Sequence, residues 1–485
     1  MWQPLAGVTG RRLAALVACV AAAALGGARA EASAIFTDAF DRASLGPDYT
    51  TFGTGVSSLV GDKVRLDAAG TTQWTTSGVS TVPSLFANDF TAGSFVKVDI
   101  NYYQLTRAGF NVGTNDTMYY RYWASGGGAA YTQGKTGFWN NGGNTQGGSN
   151  QLSQSVDRKS AVLYLGDRLN NGRRTVLTFV QGPSADVGDG TKWRYNTQFT
   201  SAYLDQPSGR SATLRLQHGA TIPSSDHTHY VDMDNLVVYN RELEAGGTGD
   251  IKAGLSLAYS EDFGSTLGTE WTLSTSADTE ALVTSGQLRI RTDLSANGGW
   301  ESARAKLDLT QALGRGLLPG EYVEVTTRRE QNNGRTGFEF FGEQIRGQAS
   351  GGNQPLSAYL SANQTFGGDQ GVMDIAISPA SFNWNAFRTL GMRLDYADGD
   401  FAVASFYVDG QYATSWLFDT PATALDVLGL FGQANGSVSA LQTLTFDNLS
   451  VYTVQTDVIP EPSTLLIWSL LAGLAMGLGW RRRTK

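Results

Sequence analysis

The fold is decided by a stretch that occurs twice, first as Met233-Asp234-Asn235-Leu236-Val237-Val238-Tyr239 and again as Phe446-Asp447-Asn448-Leu449-Ser450-Val451-Tyr452. Other pairs of short motifs precede the two copies in the same order. They include Phe40 and Phe263, Phe95-Val96-Lys97-Val98 and Tyr322-Val323-Glu324-Val325, and Gly109-Phe110 and Gly337-Phe338. This ordered repetition predicts two homologous domains, at 34–241 and 256–454, joined by a polar, glycine-containing linker at 242–255.

Both domains are predicted to be all-β. Segments such as 94–100, 175–180 and 402–408 are short and rich in β-branched or aromatic residues, and clusters of Gly, Asn and Asp separate them. Outside the two termini, no long segment shows a convincing 3.6-residue apolar period. Many short strands favour a double-sheet sandwich, which limits exposed edges better than an open sheet does.

The ends of each domain sharpen this prediction. An opening Asp/Glu-x-Phe strand and the closing Asp-Asn-Leu-x-Val-Tyr strand resemble the ends of concanavalin-like (laminin-G-like) jelly-roll domains. The resemblance implies two tandem jelly rolls in which the first and last strands pair. That pairing would bring Asp38 close to Asp234, and Glu261 close to Asp447.

These four acids are candidate ligands of a structural calcium ion, because calcium prefers carboxylate and carbonyl oxygens. The alternative is that the Asp-Asn pairs cap turns through side-chain to backbone hydrogen bonds. No other cofactor is expected.

The C-terminus carries three features in order, namely Pro460-Glu461-Pro462, an uncharged stretch at 465–480, and Arg481-Arg482-Arg483. Sixteen helical residues span roughly 24 Å, which is short of the hydrocarbon core of about 30 Å, so we expect a weak transmembrane anchor. The arginine cluster places this end in the cytoplasm by the positive-inside rule.

The tail at 459–485 resembles the PEP-CTERM sorting signal of bacterial exosortase substrates. The resemblance implies two partners, an exosortase-type processing enzyme and, transiently, the inner membrane. It also implies an exported protein of the envelope or exterior of a Gram-negative cell. The alternative is an ordinary membrane anchor that contains a proline turn by accident.

Residues 1–30 predict a secretory signal peptide. Arg11-Arg12 precede an apolar stretch at 13–27, and Ala28 and Ala30 form a small-x-small cleavage site. The only cysteine, Cys19, lies in this segment, so the mature chain would have no disulfide, thiol nucleophile or cysteine metal site. Core burial must then stabilise the exported chain.

The charge of the chain argues against nucleic acid as a partner. The formal net charge is −8, and loss of 1–30 and 460–485 would bring it to about −14. Nucleic-acid binders need clustered basic side chains. An acidic ectodomain is compatible with neutral glycans or calcium.

Motifs for catalysis are weak. Glycosidases of this fold that resemble the laminarinase family carry Glu-x-Asp-x-x-Glu on one strand, and the chain has no such run. The closest pattern is Glu339-Phe340-Phe341-Gly342-Glu343, whose two acids could share one strand face but lack the central Asp. The second domain has no histidine, and His227 and His229 near the end of the first are better explained as loop residues than as metal ligands. We therefore expect a protein that is not an enzyme.

The strongest candidates for ligand contact are aromatic and amide residues in the first domain. Aromatic rings offer flat apolar faces for sugar C–H groups, and Asn side chains hydrogen-bond to hydroxyls. A glycine-rich stretch at 125–150 follows these aromatics and lacks a counterpart in the second domain. The alternative is a strand buried on both faces beside an inert loop. The candidate glycan-binding residues are Tyr120, Tyr122, Trp123, Trp139 and Asn140.

Together these features favour an exported, exosortase-processed protein that binds extracellular polysaccharide in the matrix or biofilm layer. Two alternatives remain open. One is a polysaccharide hydrolase or lyase on the concanavalin-like fold, and the other is a passive matrix scaffold.

Overall fold

The structure is a computed structural model. It describes residues 34–454, except for 74, 87–89, 91, 104–106, 113–115, 123–133, 141–142, 147–158, 169–173, 182–192, 202–210, 218–220, 241–250, 277–278, 293–299, 330–333, 341–342, 349–355, 362–374, 378–385 and 436–441. The predicted signal peptide and sorting tail lie outside the described residues. Within the described part, no helix has the length and apolar character needed to cross a membrane.

The first half of the chain forms two antiparallel sheets. The strands of sheet 1 are β1 (Ala34–Asp38), β3 (Val56–Leu59), β4 (Val64–Asp67), β6 (Phe95–Tyr103), β11 (Lys159–Arg168), β12 (Arg174–Gln181), β13 (Trp193–Ser201) and β15 (Tyr230–Asn240). Sheet 2 is made of β2 (Tyr49–Phe52), β5 (Thr76–Thr81), β7 (Arg107–Val112), β8 (Asp116–Tyr122), β9 (Gly134–Asn140), β10 (Gly143–Gln146) and β14 (Ala212–Gln217). A 3-10 helix at Pro83–Leu85 follows β5.

The second half repeats this arrangement. The strands of sheet 3 are β16 (Leu255–Glu261), β18 (Thr279–Thr284), β19 (Gln287–Thr292), β21 (Tyr322–Arg329), β26 (Arg388–Ala397), β27 (Phe401–Val408), β28 (Gln411–Asp419) and β30 (Gln442–Val454). Sheet 4 contains β17 (Trp271–Thr275), β20 (Trp300–Asp308), β22 (Gly334–Phe340), β23 (Glu343–Gln348), β24 (Leu356–Ser361), β25 (Ile375–Ile377) and β29 (Val427–Asn435). A short helix, α1 (Leu309–Leu313), is capped by Asp308, whose side chain accepts a hydrogen bond from the Gln311 amide.

The strand orders of the two halves are the same. Sheet 1 runs β13-β12-β11-β6-β15-β4-β3 and sheet 3 runs β28-β27-β26-β21-β30-β19-β18, with β1 added on β15 and β16 on β30. Sheet 2 runs β10-β9-β8-β7-β14-β5-β2 and sheet 4 runs β25-β24-β23-β22-β29-β20-β17. This equivalence agrees with the internal repeat in the sequence.

Unusual backbone conformations repeat as well. Phe40 and Phe263 have φ values of 55° and 53°, and Asn235 and Asn448 have values of 47° and 49°. The asparagines lie where the ladders of β15 with β6 and of β30 with β21 shift register, so each Asp-Asn pair belongs to a β-bulge. Asparagine tolerates the left-handed region better than most residues do, which explains its use there.

Each half buries one face of both its sheets. In the first sandwich, Val98 and Leu163 of sheet 1 pack with Val79 and Leu214 of sheet 2. In the second, Val325 and Leu444 of sheet 3 pack with the apolar side of sheet 4, including Leu430. Both halves are therefore β-sandwiches with apolar cores.

The two sandwiches also share an interface. All eight residues of β27 are buried, because one face of β27 lies in its own core and the other meets the first sandwich. Phe95 of sheet 1 lies edge-on to Tyr396 and Phe401, with centroid distances of 4.8 and 5.4 Å. Lys97 Nζ donates to Asp400 Oδ2 at 2.8 Å across the same boundary. Residues 33–453 consequently form one compact unit.

Candidate functional site

The outer face of sheet 2 lies opposite the core of the first sandwich. Alternate residues of β14, Ala212, Leu214 and Leu216, belong to that core. Thr213 and Arg215 therefore belong to the other face, since successive residues of a strand point to opposite sides. Among the described residues, the contacts with the second sandwich that involve Phe95 and Lys97 come from sheet 1.

One row of register partners crosses this face almost entirely in residues that carry hydroxyl or amide groups. On β2, β5 and β14, the Ser80 and Thr213 hydroxyls are 2.9 Å apart, and Thr50 Oγ1 donates to the Ser80 carbonyl at 3.4 Å. In strand order the row is Thr50, Ser80, Thr213, Asn111, Thr117, Trp139 and Asn144. Residues of these types, Thr, Ser, Asn and Trp, are typical of carbohydrate contact.

The adjacent row centres on Arg215. Its register partners are Gly78 of β5 and Gly109 of β7, and Tyr119 of β8 follows Gly109. Position 78 requires a glycine, because a Cβ atom there would lie 2.0 Å from the Leu214 carbonyl oxygen of the neighbouring strand. Burial lowers the pKa of the half-buried Arg215 guanidinium from its ordinary value. The arginine thus lies between two residues that have no side chain.

The register separates the residues that the sequence predicted as one glycan site. Trp139 shares the register row of Thr213, Asn111 and Thr117. Tyr120 lies in a different row, that of Ala108 and the core residue Leu216. Tyr122 pairs with Gly134, and Asn140 pairs with Gly143 at the end of β9. Trp123 lies outside the described residues.

Sequence reasoning missed three residues of this face, namely Asn111, Thr213 and Arg215. Alternation along 212–217 was the available signal, because apolar residues occupy every second position of that strand. The pairing of β14 with β5 and β7 aligns these residues with the row of Trp139. A local sequence pattern cannot predict this pairing, because the three strands are distant in sequence.

The outer face of sheet 4 is the equivalent surface of the second sandwich. Glu339 accepts a hydrogen bond from Arg304 Nε and lies 3.7 Å from Lys306 Nζ. Phe431 is fully buried although it alternates with the core residues Leu428 and Leu430.

The prediction that Glu339 and Glu343 share a strand face is wrong. Glu339 lies on β22 and Glu343 on β23, and Glu343 pairs with Phe340 rather than with Glu339. The two acids lie on paired antiparallel strands and in different register rows. Glu339 is instead one partner in an ion-pair cluster.

The candidate calcium ligands are not gathered into one site. The Asp38 carboxylate accepts two hydrogen bonds of 2.6 Å from Arg42 and another of 2.6 Å from Tyr49, and it lies opposite Leu236 rather than Asp234. Glu261 accepts from the Phe263 amide at 2.7 Å, the contact that supports the positive φ of Phe263. Asp234 accepts a hydrogen bond from the Asn235 amide, and Asp447 pairs with Thr326 in the second bulge. In the described part of the chain, no three acidic, histidine or cysteine side chains are grouped for a metal.

Two histidines lie beside carboxylates near the end of the first sandwich. His227 Nδ1 is 2.7 Å from Asp67 Oδ2, and His229 Nε2 is 3.5 Å from Asp226 Oδ2. The two rings have different partners, which fits loop histidines better than a shared metal.

No family model matches the chain, and no curated protein matches it. Among solved structures, it is similar to the carbohydrate recognition domain of Emp47p (15% identity, 41% of this chain and 96% of that one, TM-score 0.30). It is also similar to the endo-β-1,4-glucuronan lyase of Trichoderma reesei (14%, 42% and 99%, 0.27) and the κ-carrageenase of Pseudoalteromonas carrageenovora (14%, 44% and 99%, 0.27). Each similarity extends over about the length of one sandwich, and none at this level assigns an activity.

Proposed function

We propose that this protein is exported, processed at its C-terminal tail by an exosortase, and binds polysaccharide through the outer face of sheet 2. The observation that carries the glycan-binding part is the single row in which Thr213, Asn111 and Trp139 are aligned across three strand pairings. Residues of these types are suited to glycan contact, because Thr and Asn hydrogen-bond to sugar hydroxyls and an indole ring packs on sugar C–H groups. We also propose that both sandwiches are jelly rolls.

Binding is favoured over hydrolysis by the surroundings of Glu339. A glycosidase needs one carboxylic acid able to protonate the leaving oxygen and a second carboxylate at a defined separation. Glu339 is engaged by Arg304 and Lys306, and the neighbouring Glu343 lies in a different register row. This arrangement supports an ion pair that holds sheet 4 together.

Substitution of Trp139 tests the glycan-binding part. We expect Trp139→Ala to weaken retention on polysaccharide from the producing cell's matrix by roughly thirtyfold, because truncation of a central aromatic contact costs about 2 kcal/mol. The matched control is Phe387→Ala, which removes a ring that is 39% exposed on the second sandwich. If both variants are retained equally and neither changes the melting temperature, Trp139 is not part of the binding site. A fall of many degrees in Trp139→Ala would assign the ring to the core instead.

Processing is tested independently. Replacement of Pro460, Glu461 and Pro462 by alanine, in a host that contains an exosortase, should leave a longer, membrane-retained form. Release of that variant at the wild-type size would contradict the sorting proposal and leave the glycan proposal unaffected. A variant with Arg481, Arg482 and Arg483 intact but Thr484 changed to Ala serves as the control for tail mutagenesis.

A further inference from the structure

We propose that the second sandwich holds a separate binding site for a neutral sugar, in a cleft on the outer face of sheet 3. The cleft has a volume of about 620 Å³, which is in the range of small-molecule sites in proteins. Residues of β21, β26 and β30 form its floor, and the end of the linker forms one wall. This site is additional to the one proposed on sheet 2, and neither site depends on the other.

The floor of the cleft consists of polar residues on the side of sheet 3 that faces away from its core. On β21, Val325 belongs to the core, so its neighbours Glu324 and Thr326 belong to the outer face. Glu324 pairs with Ser450 of β30. Thr326 pairs with Thr389 of β26. These four polar residues line the cleft and are partly exposed, so a ligand in the cleft can reach their hydroxyl and carboxylate groups.

The end of the linker supplies an apolar wall. Ile251 lines the cleft, is partly exposed, and packs against a cluster that includes Tyr322 and Tyr407. The Tyr322 side chain extends over Gly391 of the next strand, where a Cβ atom would lie 2.0 Å from the Tyr322 hydroxyl. This packing fixes the wall against sheet 3. A polar floor beside an apolar wall suits a sugar, which presents both hydroxyls and C–H groups.

The charged side chains of the cleft are already paired with opposite charges. Lys252 Nζ lies 2.5 Å from Glu324 Oε1, and Arg388 donates to Asp409 Oδ2 at 3.0 Å. A charged ligand would compete with these pairs, and loss of its counter-ion destabilises the partly buried Glu324 carboxylate. A neutral ligand leaves the pairs intact, because a paired carboxylate still has lone pairs that accept a hydrogen bond from a sugar hydroxyl. The cleft therefore favours a neutral sugar over a uronic acid.

In the first sandwich, the equivalent positions are occupied by an internal hydrogen-bond network. Asp99 has the place on β6 that Thr326 has on β21, since each follows the repeated strand motif directly. The Asp99 carboxylate is buried and accepts hydrogen bonds from the Ser160 hydroxyl and, at 2.9 Å, from Asn235 Nδ2. The polar groups of the first sandwich thus satisfy one another at this place.

The second sandwich lacks the carboxylate that would join these groups. Thr326 stands in the place of Asp99 and pairs with Thr389. Asn448, the asparagine of the second bulge, is exposed and lines the cleft. Among the described residues, no hydrogen bond engages the side chains of Thr326, Thr389 and Asn448. Two hydroxyls and one amide are therefore directed to the cleft instead of to each other, and a sugar supplies partners for all three.

The experiment titrates the whole protein with free sugars and follows binding by saturation-transfer difference NMR. The probes are the methyl glycosides of glucose, mannose and galactose, each compared with the methyl glycoside of its uronic acid. We expect at least one neutral glycoside to bind, and to bind more tightly than its uronic acid counterpart. Asn448→Gly and Thr326→Val should each weaken that binding about threefold to tenfold, the range for loss of one hydrogen bond.

Two variants serve as controls. Thr272→Val removes a hydroxyl from an exposed position of β17 in sheet 4, and it should bind the glycoside as the wild type does. Trp139→Ala changes the site proposed on sheet 2 and should also leave binding in the cleft unchanged. If Thr326→Val lowers the melting temperature, Ser450→Ala takes its place, with the same expected direction.

Three results would overturn the cleft site. The first is that no neutral glycoside binds, and the second is that the uronic acids bind as tightly as the neutral glycosides. The third is that Asn448→Gly and Thr326→Val bind as the wild type does. If only Trp139→Ala then weakens binding, the sugar occupies the outer face of sheet 2 and the proposed function stands. Failure of the proposed function has its own measurement, the retention of Trp139→Ala on matrix polysaccharide.

Discussion

Tyr164 of the first sandwich donates a hydrogen bond of 2.7 Å to Asp395 of the second, and neither residue has any solvent-exposed surface. The same carboxylate accepts from Ser405, and from Arg393 Nε at 2.6 Å. Burial alone would lower the pKa of the Arg393 guanidinium, but the charge of Asp395 outweighs it and raises that pKa. The boundary between the sandwiches therefore contains a satisfied polar network as well as aromatic packing.

Tyr164→Phe should destabilise the protein by about 1–3 kcal/mol, because it leaves a buried carboxylate with one donor fewer while keeping the ring. The measurement is the free energy of unfolding in urea. Tyr230→Phe is the control, since its ring lies under Arg65 at 3.9 Å and away from the boundary. Equal stability of the two variants would show that Asp395 does not depend on Tyr164.

Separated halves should be less stable than the repeat in the sequence suggests. Two complete sandwiches predict independent folding, yet residues 34–241 alone would expose Phe95 and Tyr239, which stack at 5.2 Å inside the shared interface. We expect this fragment to self-associate in sedimentation experiments, and a Phe95→Ser version to remain monomeric over a wider concentration range. A monomeric wild-type fragment with the melting temperature of the whole protein would contradict this expectation.

Asp38 should contribute to stability against acid. Burial raises the pKa of the Asp38 carboxyl, but hydrogen bonds from Arg42, Tyr49 and the Phe40 amide outweigh burial and lower it. A lowered pKa gives stability that is fully present above the unfolded value of about 3.9 and is lost as pH falls through the folded value. The difference in urea midpoint between wild type and Asp38→Asn should therefore shrink as pH falls below about 4. The exposed Asp41→Asn serves as the control, and a difference independent of pH would contradict the assignment.

The two bulge asparagines should respond differently to glycine. Asn448 is exposed at φ 49°, so Asn448→Gly should be neutral or stabilising, whereas Asn448→Ala should cost about 1 kcal/mol. Asn235 has the same conformation but also donates to Asp99 Oδ2 at 2.9 Å, so Asn235→Gly should be destabilising. Thermal unfolding of the three variants checks the contrast. A similar loss in both glycine variants would mean that the side-chain hydrogen bond contributes nothing.

The all-β architecture was predictable because its signals are local. Strand composition, turn residues and the repeated Asp-Asn-Leu motif each lie within a few residues of one another. The pairing of β1 with β15 also followed, since the resemblance to jelly rolls implied that first and last strands pair. The sequence predicted that the Asp-Asn pair forms a local side-chain to backbone hydrogen bond, and Asp234 does accept one from the Asn235 amide. The pair lies in a β-bulge, however, and not in a turn.

The candidate site was less predictable because register decides it. Tyr120 and Trp139 are both aromatic residues near a glycine-rich stretch, and composition cannot show that they lie in different register rows. The local sequence does not distinguish Arg215 from other strand residues. Its register partners, Gly78 and Gly109, lie on strands far away in sequence. The interface was also hidden, because aromatic residues such as Phe95 and Phe401 look alike whether they face a core or a neighbouring sandwich.

The shared interface sets an order on folding. During synthesis from the N-terminus, the first sandwich is complete when β15 reaches Asn240, but β27 at Phe401–Val408 follows more than 150 residues later. During that interval Phe95 and Tyr164 have no partner on their outer side, so the half-made protein presents an apolar surface to its surroundings. Slow translation between the two sandwiches would prolong this exposure. The first sandwich thus buries its outer aromatic side only after the second sandwich has been made.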